Sequence, residues 1–296
     1  MIIAHRYFLL FNQLTYFIMS TYYVPSGKFS ASAFMFWAIF GAIWFPLGGF
    51  LYALGIIYIP FIYILFLLTG IFGVTIGLVM QFAMMLGKVR NPLLGLGLGI
   101  VGGLIALYIH WAVWLTSVGG QELSLAVELG LNPMFMFDVI SEVNQTGTWG
   151  VSSGAVSGIF LTIVWVIEAL VIVGAAAYFP YSQACTPFSE RANDWFKEKT
   201  LPILSYIEDK ASFVSKLEQG RSDVFDSLTY LSEGNQNHSV FTLYEIEKDD
   251  CYISVVNKVM KVEKDGDVDF DEEDVVEHIS ISVTMKDKLL TGLEKA

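Results

Sequence analysis

The sequence predicts a mostly α protein: a four-helix transmembrane bundle followed by a small cytoplasmic α+β domain. Three observations carry this. First, 54% of the 296 residues are apolar and only 16% are charged, and the mean hydropathy is +0.57; a soluble domain carries roughly 25% charged residues. Second, the charge is split. Residues 1–186 hold 4 Lys/Arg and 5 Asp/Glu; residues 187–296 hold 13 and 24, a net −11 of the chain's −12. Third, alternating β-branched patterns occur only in the second part. The chain therefore reads as an N-terminal cytoplasmic or interfacial segment (1–32), a four-span transmembrane domain (33–186) with an extracytoplasmic loop over 116–154, and an acidic cytoplasmic domain (187–296).

The spans follow in order. Between Lys28 and Lys88 lie 59 uncharged residues. As one helix they would be about 88 Å long, against a hydrocarbon core of roughly 30 Å. They must cross twice, near 33–53 and 61–85, with the break at Gly55 and Pro60. The third span is expected near 93–115, capped by Asn91 with Pro92 in its first turn. The fourth is expected near 155–178, ending before Pro180. Residues 2–24 are greasy but contain His5, Arg6, Asn12 and Gln13. They fit an amphipathic segment at the interface better than a crossing. They lack an Ala-x-Ala cleavage site, so they do not read as a signal peptide; Met19 is an alternative start of translation.

The positive-inside rule sets the direction. Lys28 precedes the first span, Lys88 and Arg90 join the second to the third, and Arg191, Lys197 and Lys199 follow the fourth. The 116–154 loop has no Lys or Arg but carries Glu122, Glu128, Asp138 and Glu142. All four segments agree on both termini being cytoplasmic, as a multi-pass protein of the bacterial cytoplasmic (inner) membrane.

Small residues recur every fourth position: Gly95, Gly99 and Gly103 in the third span, Gly73 and Gly77 in the second, and Gly150, Gly154 and Gly158 at the entrance to the fourth. Such faces let helices approach closely in lipid. Packing within the bundle is the expected use; an interface between copies around a pore, a homo-oligomer, is the other. Trp111, Trp114, Trp149, Tyr52, Tyr58 and Tyr63 fit an aromatic belt at the headgroups. Within the loop, residues 132–143 suit a short helix capped by Asn132, with Pro133 at its first position, resting on the bundle or the interface. The sequon at Asn144 is too short a match to carry weight.

Glu168 is the one acid inside a span. An ionised carboxylate near the midplane costs around 3 kcal/mol or more, so it must be protonated, paired or hydrated. His110, in the third span, leans toward it if their faces are adjacent. Tyr108 and Trp165 are candidate further donors. Intramembrane acids mark proton or cation pathways by default; a buried hydrogen bond that fixes helix packing is an equally weighted reading.

In the C-terminal domain, residues 188–204 are expected along the inner interface. Residues 211–220 and 222–234 read as helices, and 239–247, 251–262 and 279–284 as a three-stranded antiparallel sheet. The acid-rich run 265–274 departs from a calcium loop, which needs Gly where Phe270 stands. It reads as a solvated turn and a helix N-terminus. Cys185 and Cys251 form no Cys-x-x-Cys pair, and no disulfide, metal site, cofactor or catalytic constellation is expected.

Several phrases together carry a resemblance: Lys88-Val-Arg-Asn91, Tyr108-Ile-His-Trp111, Gly147-Thr-Trp149, Trp165-Val-Ile-Glu168 and Pro187-Phe-Ser-Glu190. Over roughly 26–195 the chain resembles a group of bacterial polytopic, four-span membrane proteins with a cytoplasmic C-terminal domain and no assigned activity. The resemblance implies a Cys-x-x-Cys pair in the Pro-Phe region. Ser189 and Ala192 fill those positions here, which puts any metal or redox role the resemblance implies there in doubt for this chain.

The expected function is therefore a non-enzymatic membrane module: a sensor, anchor or partner-binding protein. Its expected partners are the lipid bilayer and a cytoplasmic protein met through 187–296. Nucleic acid is disfavoured by the acidic charge. The alternative is a small proton- or cation-linked transporter or channel subunit using Glu168 and His110.

Overall fold

A computed structural model describes residues 21–59, 62–147, 156–232, 234–247, 251–262 and 268–294. The expectations for residues 1–20, for Trp149, Gly150 and Gly154, and for 263–267 lie outside the described residues. Two compact units form. One is Ser26–Cys185; the other combines Thr186–Ala296 with the described residues up to Pro25.

The first unit contains four long apolar helices: α1 (Ser32–Tyr58), α2 (Ile62–Leu86), α3 (Pro92–Val118) and α6 (Gly158–Cys185). At 1.5 Å per residue each is about 38–42 Å long, enough to cross a bilayer with a turn to spare. By length and composition they are transmembrane spans, and the chain is a multi-pass membrane protein. The Asn91 side chain caps α3, accepting a hydrogen bond from the Leu94 amide at 3.0 Å, with Pro92 in the first turn. The fourth span does not end before Pro180. It runs through that residue to Cys185, because Pro180 loses one backbone bond that tertiary packing replaces, as described below.

The loop between α3 and α6 is itself helical: α4 (Ser124–Leu131) and α5 (Pro133–Thr146). Asn132 caps α5 by accepting from the Phe135 amide at 3.2 Å, and Pro133 opens it. Met136 is buried, and Val139, Ile140 and Val143 pack with it against Ala53 and the stretch Ala112–Leu115.

The second unit is an α+β domain. A short hairpin pairs β1 (Phe188–Ser189) with β2 (Asp194–Trp195). A five-stranded antiparallel sheet has the order β3 (Lys197–Thr200), β5 (His238–Glu245), β6 (Cys251–Val262), β7 (Val268–Ile281), with β4 (Leu204–Ser205) also on β5. Helices α7 (Lys210–Glu218) and α8 (Val283–Glu294) cover it. Phe213 and Leu217 of α7, and Met285 and Leu289 of α8, are spaced four apart and join Phe241, Leu243, Ile253 and Ile279 in the core.

Several local expectations are corrected here. Residues 188–204, expected to continue from the fourth span along the inner interface, form short strands: Phe188 and Trp195 pack edge to face at 5.0 Å, and β3 finds a partner in β5. The 222–234 helix shrinks to a 3₁₀ turn, Ser222–Phe225. Beyond it, residues 229–231 bond to 203–205 instead, with Leu204 opposite Tyr230. The described part of the acid-rich stretch, residues 268–274, is the first half of β7, not a helix start. Its carboxylates are balanced from neighbouring elements: Lys258 pairs with Glu272, Lys210 with Glu273, and Lys261 lies 3.9 Å from Asp271. The strand expected at 279–284 is the end of β7, and Val283 already begins α8. Residues 21–23 belong to this unit as well. Tyr22 bridges Ile279, and the Tyr23 amide donates to the His278 carbonyl at 2.9 Å. The Tyr22 hydroxyl donates to Glu218 at 2.8 Å; burial and that carboxylate push its pKa up to about 12.

Candidate functional site: a polar junction among the four spans

Each span contributes at least one side chain to a buried junction. Tyr52 of α1 donates to Oε1 of Glu168 on α6 at 2.5 Å. Its hydroxyl also lies 2.7 Å from Oγ1 of Thr69 on α2, and Thr69 donates to the Leu65 carbonyl at 2.9 Å. His110 of α3 lays its ring against Tyr52, centroids 4.5 Å apart. Phe72 stacks on the tyrosine at 4.6 Å and lies 6.4 Å from the His110 ring, so the three rings form one triangular cluster. The aromatic cluster holds the Tyr52 ring, so its hydroxyl sits where Glu168 and Thr69 can both reach it.

The approach of α1 to α3 depends on Gly49. A Cβ there would lie 3.1 Å from the His110 amide nitrogen and 3.3 Å from the Ala106 carbonyl oxygen. Closer approach brings Tyr52 over His110, and substitution would push the two helices apart. His110 is fully enclosed, and its Nδ1 finds no hydrogen-bond partner among the described residues.

Counting hydrogens limits what the junction can hold. The contacts run Glu168, Tyr52, Thr69, Leu65 carbonyl: three contacts, but Tyr52 and Thr69 supply one hydrogen each. With an ionised carboxylate the Tyr52–Thr69 contact has no hydrogen of its own. With a proton on Glu168 the first bond reverses and every contact is filled. The arrangement is complete with one bound proton.

The sequence-selected residues divide accordingly. Glu168 and His110 share the junction but meet through Tyr52 rather than each other. Tyr108 donates to the Gly130 carbonyl at 2.8 Å, and Trp165 packs edge to face on Trp111 at 4.8 Å, so neither is a donor to Glu168. Tyr52 is 4% exposed and belongs to the junction, not to a headgroup belt. Tyr58 and Tyr63, at 77% and 86%, stay exposed near the α1–α2 turn. Thr69 and Tyr52 were the signals missed: both are hydroxyls inside apolar spans, at matching depth from the turn that joins α1 to α2.

The glycines lock the spans around the junction. Added Cβ atoms at Gly95 and Gly99 would lie 2.5 and 2.6 Å from the carbonyl oxygens of Pro180 and Ala176. At Gly103 one would be 3.1 Å from Ala176 Cβ. Gly73 and Gly77 press on α6 in the same way, at Ile172 and at Ala175 with Phe179. These five faces are filled inside one chain. Gly158 has a different reason: its φ is +65° and an added Cβ would meet nothing within 4 Å. Its carbonyl accepts from the Asn144 side chain at 3.1 Å, which also engages that sequon residue.

An apolar groove flanked by Leu96, Ile100, Leu170 and Val173 includes none of the junction's side chains. Among the described residues no cluster of three or more His, Cys, Asp or Glu is placed to hold a metal ion. At the Ser189–Ala192 turn the serine hydroxyl accepts from the Ala192 amide at 2.9 Å. Compared with protein-family models, curated proteins and solved structures, the chain gives no match in any of the three.

Proposed function

We propose that this protein is a non-enzymatic membrane module in which the junction clamps four spans and the 187–296 domain meets a protein partner in the cytoplasm. What carries the reading is that Thr69, Tyr52 and Glu168 use one another as partners across three helices, with His110 of the remaining span, α3, packed against the Tyr52 ring. A buried polar link of this kind contributes about 0.6–2 kcal/mol in a membrane bundle. The interdigitated glycine faces add a rigid scaffold. Polar chemistry is concentrated outside the spans, where residues 187–296 hold 37 of the 46 charged side chains. Both termini cytoplasmic, in a bacterial inner membrane, is part of the same proposal.

One observation favours a second reading, a proton-linked channel or transporter subunit. The junction has a place for one proton, and nearby the His110 ring, which faces the Gly49 backbone, has an Nδ1 with no hydrogen-bond partner among the described residues.

The two readings separate in liposomes reconstituted with the parent chain, Glu168→Gln and Glu168→Leu. Glutamine can donate to Tyr52 as a protonated carboxyl does, and leucine cannot. On the clamp reading, parent liposomes pass protons no faster than protein-free ones. Glu168→Gln unfolds like the parent, and Glu168→Leu is less stable by about 1–2 kcal/mol. Proton flux present in the parent and lost in Glu168→Gln would replace the clamp reading with the transport one.

A further inference from the structure

The segment joining α3 to α6 does not merely cap the bundle. The contacts give its depth. The Gly130 carbonyl accepts from Tyr108, and an added Cβ at Gly130 would be 3.8 Å from that of Ala112. Tyr108 and Ala112 lie about 15 and 9 Å, at 1.5 Å per residue, below the Val118 end of α3. That helix is about 40 Å long, so roughly 5 Å of each end projects beyond a 30 Å core. Gly130 therefore sits about 4–10 Å inside the hydrocarbon. Helix α4 descends along α3 to reach it. Helix α5 climbs back obliquely, and near its end Asn144 donates to the Gly158 carbonyl (3.1 Å) and to Thr162 Oγ1 (3.0 Å) at the start of α6.

The side chains at the bend fit that depth. Leu131, Met134, Phe135 and Phe137 are 81%, 76%, 55% and 73% exposed. A bare cluster of this size at a tight bend is costly in water. It continues the apolar surface that the spans present, as at Leu104, exposed on α3. Acids flank it: Glu122 precedes α4 and Glu142 is near the end of α5, while exposed Glu128, three residues before Leu131, and exposed Asp138, next to Phe137, must reach toward the headgroups. Backbone at this depth is tolerable because α4 and α5 are helical and protein groups take the Leu129, Gly130 and Asn132 carbonyls at their bend. The Asn132 side chain caps α5, and Tyr108 takes the Gly130 carbonyl.

We propose that α4 and α5 form a re-entrant hairpin whose Leu131–Phe137 bend is inserted among the lipid acyl chains of the adjoining leaflet.

Phospholipid with a diazirine in its acyl chain, incorporated in nanodiscs with the unaltered full chain, reports the contact directly. Photolysis and peptide mass spectrometry should find adducts on 131–137 as well as around Leu104 of α3. In parallel, Met134→Cys and Phe137→Cys should react with a water-soluble maleimide roughly tenfold more slowly than Gln121→Cys, since a thiol in hydrocarbon stays protonated. Adducts on α3 without any on 131–137 would overturn the proposal. Fast maleimide reaction would then assign the bend to water, and slow reaction to a covering protein or second copy.

Discussion

At Gly99 an added Cβ would lie 2.6 Å from both the Ala176 carbonyl oxygen and the Ala177 Cα; at Gly97 it would meet nothing within 4 Å. Pro180 has no N–H, so the Ala176 carbonyl lacks its usual helical donor and lies instead over Gly99, where a Cα–H can approach it. The missing bond and the missing side chain answer each other. Gly99→Ala should therefore destabilise the bundle by about 1–3 kcal/mol through overpacking. Gly97→Ala should leave stability unchanged or raise it by up to about 1 kcal/mol through helix propensity. Thermal unfolding of the two variants in one detergent checks both. In the sequence the two glycines look alike except for spacing, and only the position of α6 separates them.

At the scale of the element, β7 shows how neighbours override local pattern. Six of its residues from Asp269 to Glu277 are acidic, a composition that favours turns and helix starts over strands. Cross-strand lysines and the length of β6 draw it into the sheet. His278 interrupts the strand near a register shift, with φ +48°. Its amide donates to Ser254 Oγ at 3.0 Å, and its ring packs edge to face on Tyr244 at 4.8 Å. Burial holds its pKa below the ordinary histidine value, against the opposing pull of Glu277. The unfolded chain thus takes up the proton first. Stability from this residue is intact above the unfolded histidine pKa of about 6.5 and is lost as pH falls below it. Denaturant unfolding of the full chain, followed between pH 5 and 7.5, should show the C-terminal domain weakening toward acid. His278→Asn, which tolerates a left-handed backbone, should flatten that dependence.

At the scale of the whole molecule, the charge distribution makes the proposed orientation open to a direct check. In intact bacterial cells an impermeant maleimide should label Gln121→Cys. Glu198→Cys should label only after permeabilisation. The reverse pattern would put the acidic domain outside and end the proposal that it meets a cytoplasmic partner.

Hydrophobic runs and charge placement alone determined the four spans, the acidic appended domain and the caps at Asn91 and Asn132. Each of these depends on contiguous residues and on the large free-energy difference between hydrocarbon and water. The tertiary structure alone decided which polar groups meet. Glu168 stood out in the sequence, but its partner Tyr52 lies 116 positions away and reads as a headgroup aromatic until α2 and α3, packed between α1 and α6, bring the two within reach. The same holds for the passage of α6 through Pro180 and the strand identity of the acidic run. In each, a contact remote in sequence outweighs a local preference of about 1–3 kcal/mol, and nothing in a linear pattern records which remote residue will supply it.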